Sequence, residues 1–263
     1  MEKDSYQYFR KWFSQYVRSF YSDDPYIAQN IELKEDHSLR VCQNASLICG
    51  SEQLPDDELY LAMTIALFHD IGRFEQFQKY RTFKDSESEN HALLGVNILK
   101  SEKVLSPLPS EEQEIIFTAI SHHNAKKLPQ NLNRECLFHC RLVRDADKLD
   151  ILKVLDDHYS MKDKSPNPAL ELGLPDIPEY SHYMVDDILN NRISSTAGAR
   201  TCNDLRLARL AWVFDMHFPE TFRLVAEKGY IERTIAQLPQ DPDIRRVRDH
   251  LNSYIGSVLS GKD

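Results

Sequence analysis

Apolar residues recur every three or four positions through most of this chain and almost nowhere alternate. Residues 6–21 set the pattern: Tyr8, Trp12, Tyr16 and Phe20 run beside Phe9, Phe13 and Val17 at i, i+3/i+4 spacing, the mark of a helix with one face turned inward. The same spacing continues in Val41, Ala45 and Ile48, in Leu59, Ala62, Met63 and Ala66, in Leu94, Ile98 and Leu99, in Ile115, Thr118 and Ala119, and in Leu142, Val143, Ile151 and Val154. Pro55-Asp56-Asp57-Glu58 is a helix start, because proline and acidic residues suit the positive end of the helix dipole. Pro109-Ser110-Glu111-Glu112-Gln113 is another, with Ser110 expected as the cap and Gln113 three residues on. Strand signals are missing: no alternating Val/Ile/Thr run is bounded by turns, and no Asn-Gly or Asp-Gly hairpin turn occurs. With only 8 glycines and neither a G-x-G-x-x-G nor a phosphate loop, a glycine-rich nucleotide fold is excluded. The expected fold class is all-α.

Its 263 residues suit one large domain, or one domain with a helical extension. Residues 161–179 hold four prolines and a glycine. They divide an expected helical domain at 1–160, with its amphipathic N-terminal helix, from C-terminal helices at 180–263 packing on it. The stretch 71–90 is polar, aromatic and poorly periodic, and is expected to be a long loop, a feature that in compact domains often serves function. Thirty-two Lys+Arg against 41 Asp+Glu leave a net charge of −9, which argues against a general partner such as a nucleic-acid polymer or an anionic membrane while leaving room for a local phosphate pocket. No apolar run approaches the roughly 20 residues of a membrane span. The start Met1-Glu2-Lys3-Asp4-Ser5 does not resemble a secretory leader. Five cysteines, with Cys136 and Cys140 lacking the second pair of a zinc knuckle, are expected to be reduced and mostly buried. A cytoplasmic protein is the expectation.

The ten histidines carry the chemical information. His37 stands one turn before Val41. His69 and Asp70 follow Ala62 and Ala66 at the inward end of their helix. His91 leads Leu94, Gly95 and Ile98; His122 and His123 follow Ile115, Thr118 and Ala119; Asp147 lies four residues from both Val143 and Ile151. Any one inward histidine is more often a satisfied core residue, and Asp147 within Arg144-Asp145-Ala146-Asp147-Lys148 could equally be part of an exposed charge ladder. His139, His158, His182, His217 and His250 lack such a setting. The joint pattern is another matter: imidazoles and carboxylates directed into a core from five helices are costly unless they bind a metal or each other. Mixed His and carboxylate donors suit Mn, Fe, Co, Ni or Zn better than Mg or Ca.

In order, His37, then His69-Asp70-Ile71-Gly72-Arg73, then His91, then His122-His123, then Asp147 resemble the HD-domain metal-dependent phosphohydrolase superfamily in its longer, two-metal form, H…HD…H…HH…D. The resemblance covers about residues 25–155 and implies an all-helical bundle; the expected fold is that bundle with the additional C-terminal helices, which the resemblance does not reach. It implies that His37, His69, Asp70 and Asp147 hold a first metal, that Asp70 bridges to a second, and that His91 and His122 hold that second metal with His123 contributing or supporting. Arg73 matches a basic residue that faces substrate phosphate in several branches. Asn124-Ala125-Lys126-Lys127-Leu128-Pro129 lacks the Gly-Tyr-Pro element of cyclic di-GMP phosphodiesterases, so that specificity is not implied.

The implied activity is hydrolysis of a phosphomonoester or phosphodiester of a small metabolite, a nucleotide for choice, by a hydroxide activated by two divalent transition ions. Asp70, Arg73 and Lys148 are the expected catalytic residues. Arg81, Lys84, Lys126 and Lys127 are further cations that could offset phosphoryl charge or simply be solvated. Phe74, Phe77, Tyr80 and Phe83 suit packing between helices, stacking of a base or a lid over the site, packing being the commoner use. Two other functions fit the same residues: a di-iron oxygenase of the same superfamily, and a regulatory module that binds metal or nucleotide without turnover.

Overall fold

A computed structural model describes residues 1–161 and 170–261. Among the described residues the regular structure is helical throughout, with no strand. Two compact units are present, Met1–Asp150 and Ile151–Asp263. Much of the proline-rich stretch expected at 161–179 falls at 162–169, outside the described residues.

The first unit is built from α1 (Lys3–Arg18), α2 (Pro25–Ser51), α3 (Asp56–Phe68), α4 (Gly72–Tyr80), α5 (His91–Ser101), α6 (Ser110–His122) and the first part of α7 (Arg134–Met161). The aromatic stripe at the N-terminus covers the bundle: Phe9, Phe13 and Val17 are fully buried. Phe68 meets Phe9 at 5.8 Å and Trp12 at 5.9 Å, while Phe13 meets Phe74 at 5.9 Å, all edge-on, an arrangement favoured by the ring quadrupole. The helix expected at 37–50 is longer: α2 begins at Pro25 because Asp24 Oδ1 accepts from the backbone N–H of Tyr26 at 2.9 Å and of Ile27 at 3.4 Å, satisfying donors that a helix start leaves open.

Two expectations are corrected. Ser110 is the first residue of α6 and not its cap; Pro109 precedes it, and Gln113 donates to the Leu108 carbonyl at 2.8 Å. The stretch 71–90 is a loop only in its second half, because Gly72–Tyr80 is helical. That helix has a short inward stripe, Phe74 and Phe77, with Gln76 buried between them. Its donors reach the Asp85 carboxylate at 3.0 Å, Ser88 Oγ at 2.8 Å and the Glu89 carbonyl at 2.9 Å. A glutamine so satisfied costs little to bury, but in the sequence it reads as a surface residue. Phe74 and Phe77 pack; Phe83 is half-buried and stacks on Phe77 at 4.7 Å; Tyr80 is exposed.

The second unit contains α8 (His182–Leu189), α9 (Cys202–Leu210), α10 (Pro219–Glu227), α11 (Tyr230–Ala236) and α12 (Pro242–Leu259). Its core includes Met184, Ile188, Leu205, Val225, Val247 and Leu251. The buried Asp204 carboxylate is satisfied by Ser181 N–H at 2.6 Å, Ser181 Oγ at 3.0 Å and Arg200 N–H at 2.9 Å. All five cysteines are free and buried. No helix among the described residues is long and apolar enough to cross a membrane.

Candidate metal centre

Four imidazoles of the first unit converge in the same way. His37 Nδ1 donates to Asp150 Oδ2 at 2.7 Å, His69 Nδ1 to the Ala66 carbonyl at 2.7 Å, His91 Nδ1 to Asp85 at 2.8 Å, and His123 Nδ1 to the Ile120 carbonyl at 2.8 Å. Each of these partners is an acceptor, so each Nδ1 carries a proton, and the neutral form of each ring, the form that binds a metal, presents the lone pair of Nε2. Those lone pairs meet in two pairs: His37 Nε2 lies 3.2 Å from His69 Nε2, and His91 Nε2 lies 3.0 Å from His123 Nε2. In that form two nitrogens at hydrogen-bond distance have no proton to share, and all four rings are buried. Such pairs fit a cation and little else.

Asp70 stands between the pairs. Its Oδ1 is 3.3 Å from His91 Nε2 and 3.6 Å from His123 Nε2; its Oδ2 is 3.5 Å from His37 Nε2 and 3.7 Å from His69 Nε2. Asp147 Oδ1 joins the first pair, 3.1 Å from His37 and 3.6 Å from His69. The donor atoms group as His37, His69 and Asp70; as His69, His123 and Asp147; and as Asp70, His91 and His123, each set within 4.8 Å. Both carboxylates are held well below the usual carboxylate range. Burial opposes this in each, but Lys34 and His69 outweigh it at Asp70, and the His37 and His69 rings beside it outweigh it at Asp147.

Local chain features place these groups. His69 and Asp70 occupy the break between α3 and α4, where Ile71 N–H bonds back to the Phe68 carbonyl at 3.1 Å and Arg73 N–H to the Asp70 carbonyl at 2.9 Å. His91 is the first residue of α5, fixed by Asn90 Oδ1, which accepts from Ala92 N–H at 3.0 Å and Leu93 N–H at 3.1 Å. Gly72 lets α4 approach α5: a Cβ there would lie 2.2 Å from the His91 carbonyl oxygen and 2.7 Å from the Gly95 nitrogen. At the end of α6, Arg144 Nη1 gathers the carbonyls of His122, His123 and Ala125 at 3.1, 3.0 and 2.6 Å.

The adjacent histidines separate. His123 is buried with its Nε2 in the cluster, whereas His122 is half-buried and directs Nδ1 to the Thr118 carbonyl at 2.9 Å. Among the described residues His122 belongs to none of the candidate ligand groups. Of the two histidines expected at the second metal, His122 as ligand and His123 contributing or supporting, it is His123 that stands among the candidate donors. His123 follows the buried Ile116, Ala119 and Ile120 at helical spacing, while His122 follows Thr118. His123→Ala is expected to abolish uptake of one divalent ion per chain and His122→Ala to leave it intact, as read by metal analysis after reconstitution.

Arg73 is also near Asp70, with Nε 3.5 Å from Oδ1. Its Nη1 is committed to the loop, donating to Gln76 Oε1 at 2.7 Å, the Phe83 carbonyl at 2.6 Å and Asp85 Oδ1 at 3.0 Å. Lys148 is buried next to Asp147 in the chain. Arg81, Lys126 and Lys127 are exposed, and Lys84 pairs with Glu87 at 3.0 Å.

Several functional neighbours escape a reading of the sequence. Asp150 accepts from His37 and also from Arg40 Nε at 2.6 Å; its signal is that it lies one turn after Asp147. Asp85 orients His91 from an irregular loop and has no periodic signal. Lys34, one turn before His37, donates to Asp70 Oδ2 at 2.7 Å.

The electrostatics predict a pH dependence. Burial and the nearby Arg73 push His91 down to about 3. An unfolded histidine titrates near 6.5, so between these values the unfolded chain binds the extra proton. His91 therefore contributes stability that is complete above about pH 6.5 and is lost as pH falls toward 3. His37 runs the other way. Burial and Lys34 lower it, but the Asp147 and Asp150 carboxylates, which accept from its protonated form, raise it on balance, so its contribution is complete below about pH 6.5 and lost as pH rises through its folded value. In urea unfolding of metal-free protein, His91→Gln is expected to remove about 2 kcal/mol of the wild-type loss between pH 7 and 5. An unchanged pH slope would contradict the assignment.

Neither a search of curated proteins nor one of solved structures finds a match to this chain. The family model described as HD domain matches residues 35–152, a span holding all four imidazoles, Asp70 and Asp147. HD domains form a superfamily of metal-dependent hydrolases that are helical in fold, in agreement with the helices and the donor cluster described above. Residues 35–152 of this chain are an HD domain.

Proposed function

We propose that this chain is a phosphohydrolase that cleaves a phosphomonoester or phosphodiester of a small metabolite, a nucleotide for choice, with two divalent transition ions. The observation that carries this is the Asp70 carboxylate, which offers one oxygen to the His37/His69 pair and the other to the His91/His123 pair. A carboxylate can bridge in this way because both of its oxygens accept. His37, His69, Asp70 and Asp147 would hold one ion, and Asp70, His91 and His123 the other. Ions held by these residues would supply Lewis acidity and hydroxide near neutral pH.

The chain's own groups do the rest. Asp150 and Asp85 keep protons on the Nδ1 atoms of His37 and His91, so that Nε2 stays a donor to metal. Arg73 bonds Phe83 and Asp85 and so ties the loop after α4 to the site, while its position near Asp70 suits it to offset charge on a phosphoryl group. Lys148 is the second cation adjacent to a ligand in the chain, and we assign it the same task.

The test is a panel of phosphomonoesters and phosphodiesters, nucleotides included, with Mn²⁺-, Fe²⁺-, Co²⁺-, Ni²⁺- or Zn²⁺-loaded protein. Phosphate or nucleotide release that is lost with Asp70→Asn supports the proposal. Oxygen consumption with an iron requirement and no phosphate release would replace it with the oxygenase, and nucleotide binding without turnover with the regulatory module.

A further inference from the structure

Lys34 has no part in the ligand set, yet it is the cation nearest the bridging carboxylate. It lies on α2 one turn before His37, and its ammonium donates to Asp70 Oδ2 at 2.7 Å. This is the oxygen that faces the His37/His69 pair. The half-buried Phe83 ring holds the same ammonium over its face, 5.3 Å from the centroid, with Arg73 5.8 Å from that centroid. Phe83 is itself braced by stacking on Phe77. An ammonium has three donors, and Asp70 is its acceptor among the described residues. The side chain keeps 16% of its surface exposed, so a ligand arriving from solvent can reach it.

A positive group beside a metal-ligating oxygen opposes the metal, because the two cations repel across a short distance in a partly desolvated site. The same group favours any anion that comes to lie against the metal, since a charge-assisted hydrogen bond is then added to the metal's own attraction. We propose that Lys34 is a binding residue for the phosphoryl group of the substrate, positioned by Phe83, that trades metal affinity for anion affinity. This rests on the two-metal hydrolase reading and adds to it the residue through which the chain itself grips the phosphoryl oxygens.

Isothermal titration with Mn²⁺ alone, then with inorganic orthophosphate on Mn²⁺-loaded protein, separates the possibilities. Lys34→Met is expected to bind Mn²⁺ at least as tightly as wild type and orthophosphate about tenfold more weakly, the scale of one lost charge-assisted hydrogen bond. Retained Mn²⁺ uptake shows at the same time that the variant is folded. Lys34→Arg, which keeps the charge, is expected to lose less than Lys34→Met. A parallel fall in Mn²⁺ affinity would assign Lys34 a structural role and overturn the proposal, as would unchanged orthophosphate affinity or an equal loss in both variants. Wild-type protein that takes up Mn²⁺ but no orthophosphate overturns this proposal and the hydrolase reading together. Wild-type binding of orthophosphate with Lys34→Met unaffected overturns this proposal alone.

Discussion

Asp70→Asn is expected to empty both halves of the metal centre at once. Its two oxygens are divided between the imidazole pairs, Oδ2 toward His37 and His69 and Oδ1 toward His91 and His123. An amide of the same shape leaves one neutral oxygen and turns a donor group toward one of the pairs. The loss is expected to exceed the roughly 10–100-fold in affinity that follows removal of an outer-shell partner. By contrast, Asp147→Asn acts most directly on the His37/His69 half, where its Oδ1 makes its ion-pair contacts, and His91→Gln on the other. Metal analysis after reconstitution and desalting reads the difference. Wild type is expected near two ions per chain, Asp70→Asn near none, and each of the other variants near one. An Asp70→Asn protein that keeps one ion would show that the carboxylate does not bridge.

Gly72→Ala is expected to be the most damaging single methyl group in the first unit. The added Cβ would fall 2.2 Å from the His91 carbonyl oxygen and 2.7 Å from the Gly95 nitrogen. Both are backbone atoms, so no side chain can swing aside, and α4 must part from α5. Overpacking of this kind typically costs about 1–3 kcal/mol and occasionally more, and backbone against backbone belongs at the upper end. In a chain of this size that is a fall of roughly 10 °C in melting temperature. Because His91 begins α5, the same shift moves its ring, and the variant is expected to lose the ion held by His91 and His123. Gly95→Ala is the milder control. Its Cβ would meet Ile71 Cγ2 at 3.0 Å and the Gly72 nitrogen at 3.3 Å, so part of the strain can be relieved by a side chain. Thermal melts of the two variants check the order.

What the sequence does and does not disclose follows the same physics. A helix with an apolar stripe of two turns or more, such as α1, is readable because burial imposes a period. The nine-residue α4 is not, because its inward face includes Gln76, whose polarity is cancelled by partners far along the loop. His37, His69, Asp70, His91 and Asp147 are legible as polar groups placed where apolar ones are expected. The choice between His122 and His123 turns on neighbours one turn back: Ala119 is buried and Thr118 is not, a distinction that two small residues barely display. Lys34, Arg40, Asp85 and Arg144 are hidden for a different reason. Charged residues on helices and loops ordinarily face water, and only the folded positions of Asp70, Asp150, His91 and the end of α6 give these four their work.

Anomalous diffraction from crystals of the Mn²⁺-loaded protein tests the central claim most directly. Two peaks are predicted, one among His37, His69 and Asp147 and one between His91 and His123, with Asp70 contacting both. A single peak lying away from Asp70, or none within reach of these imidazoles, would contradict it.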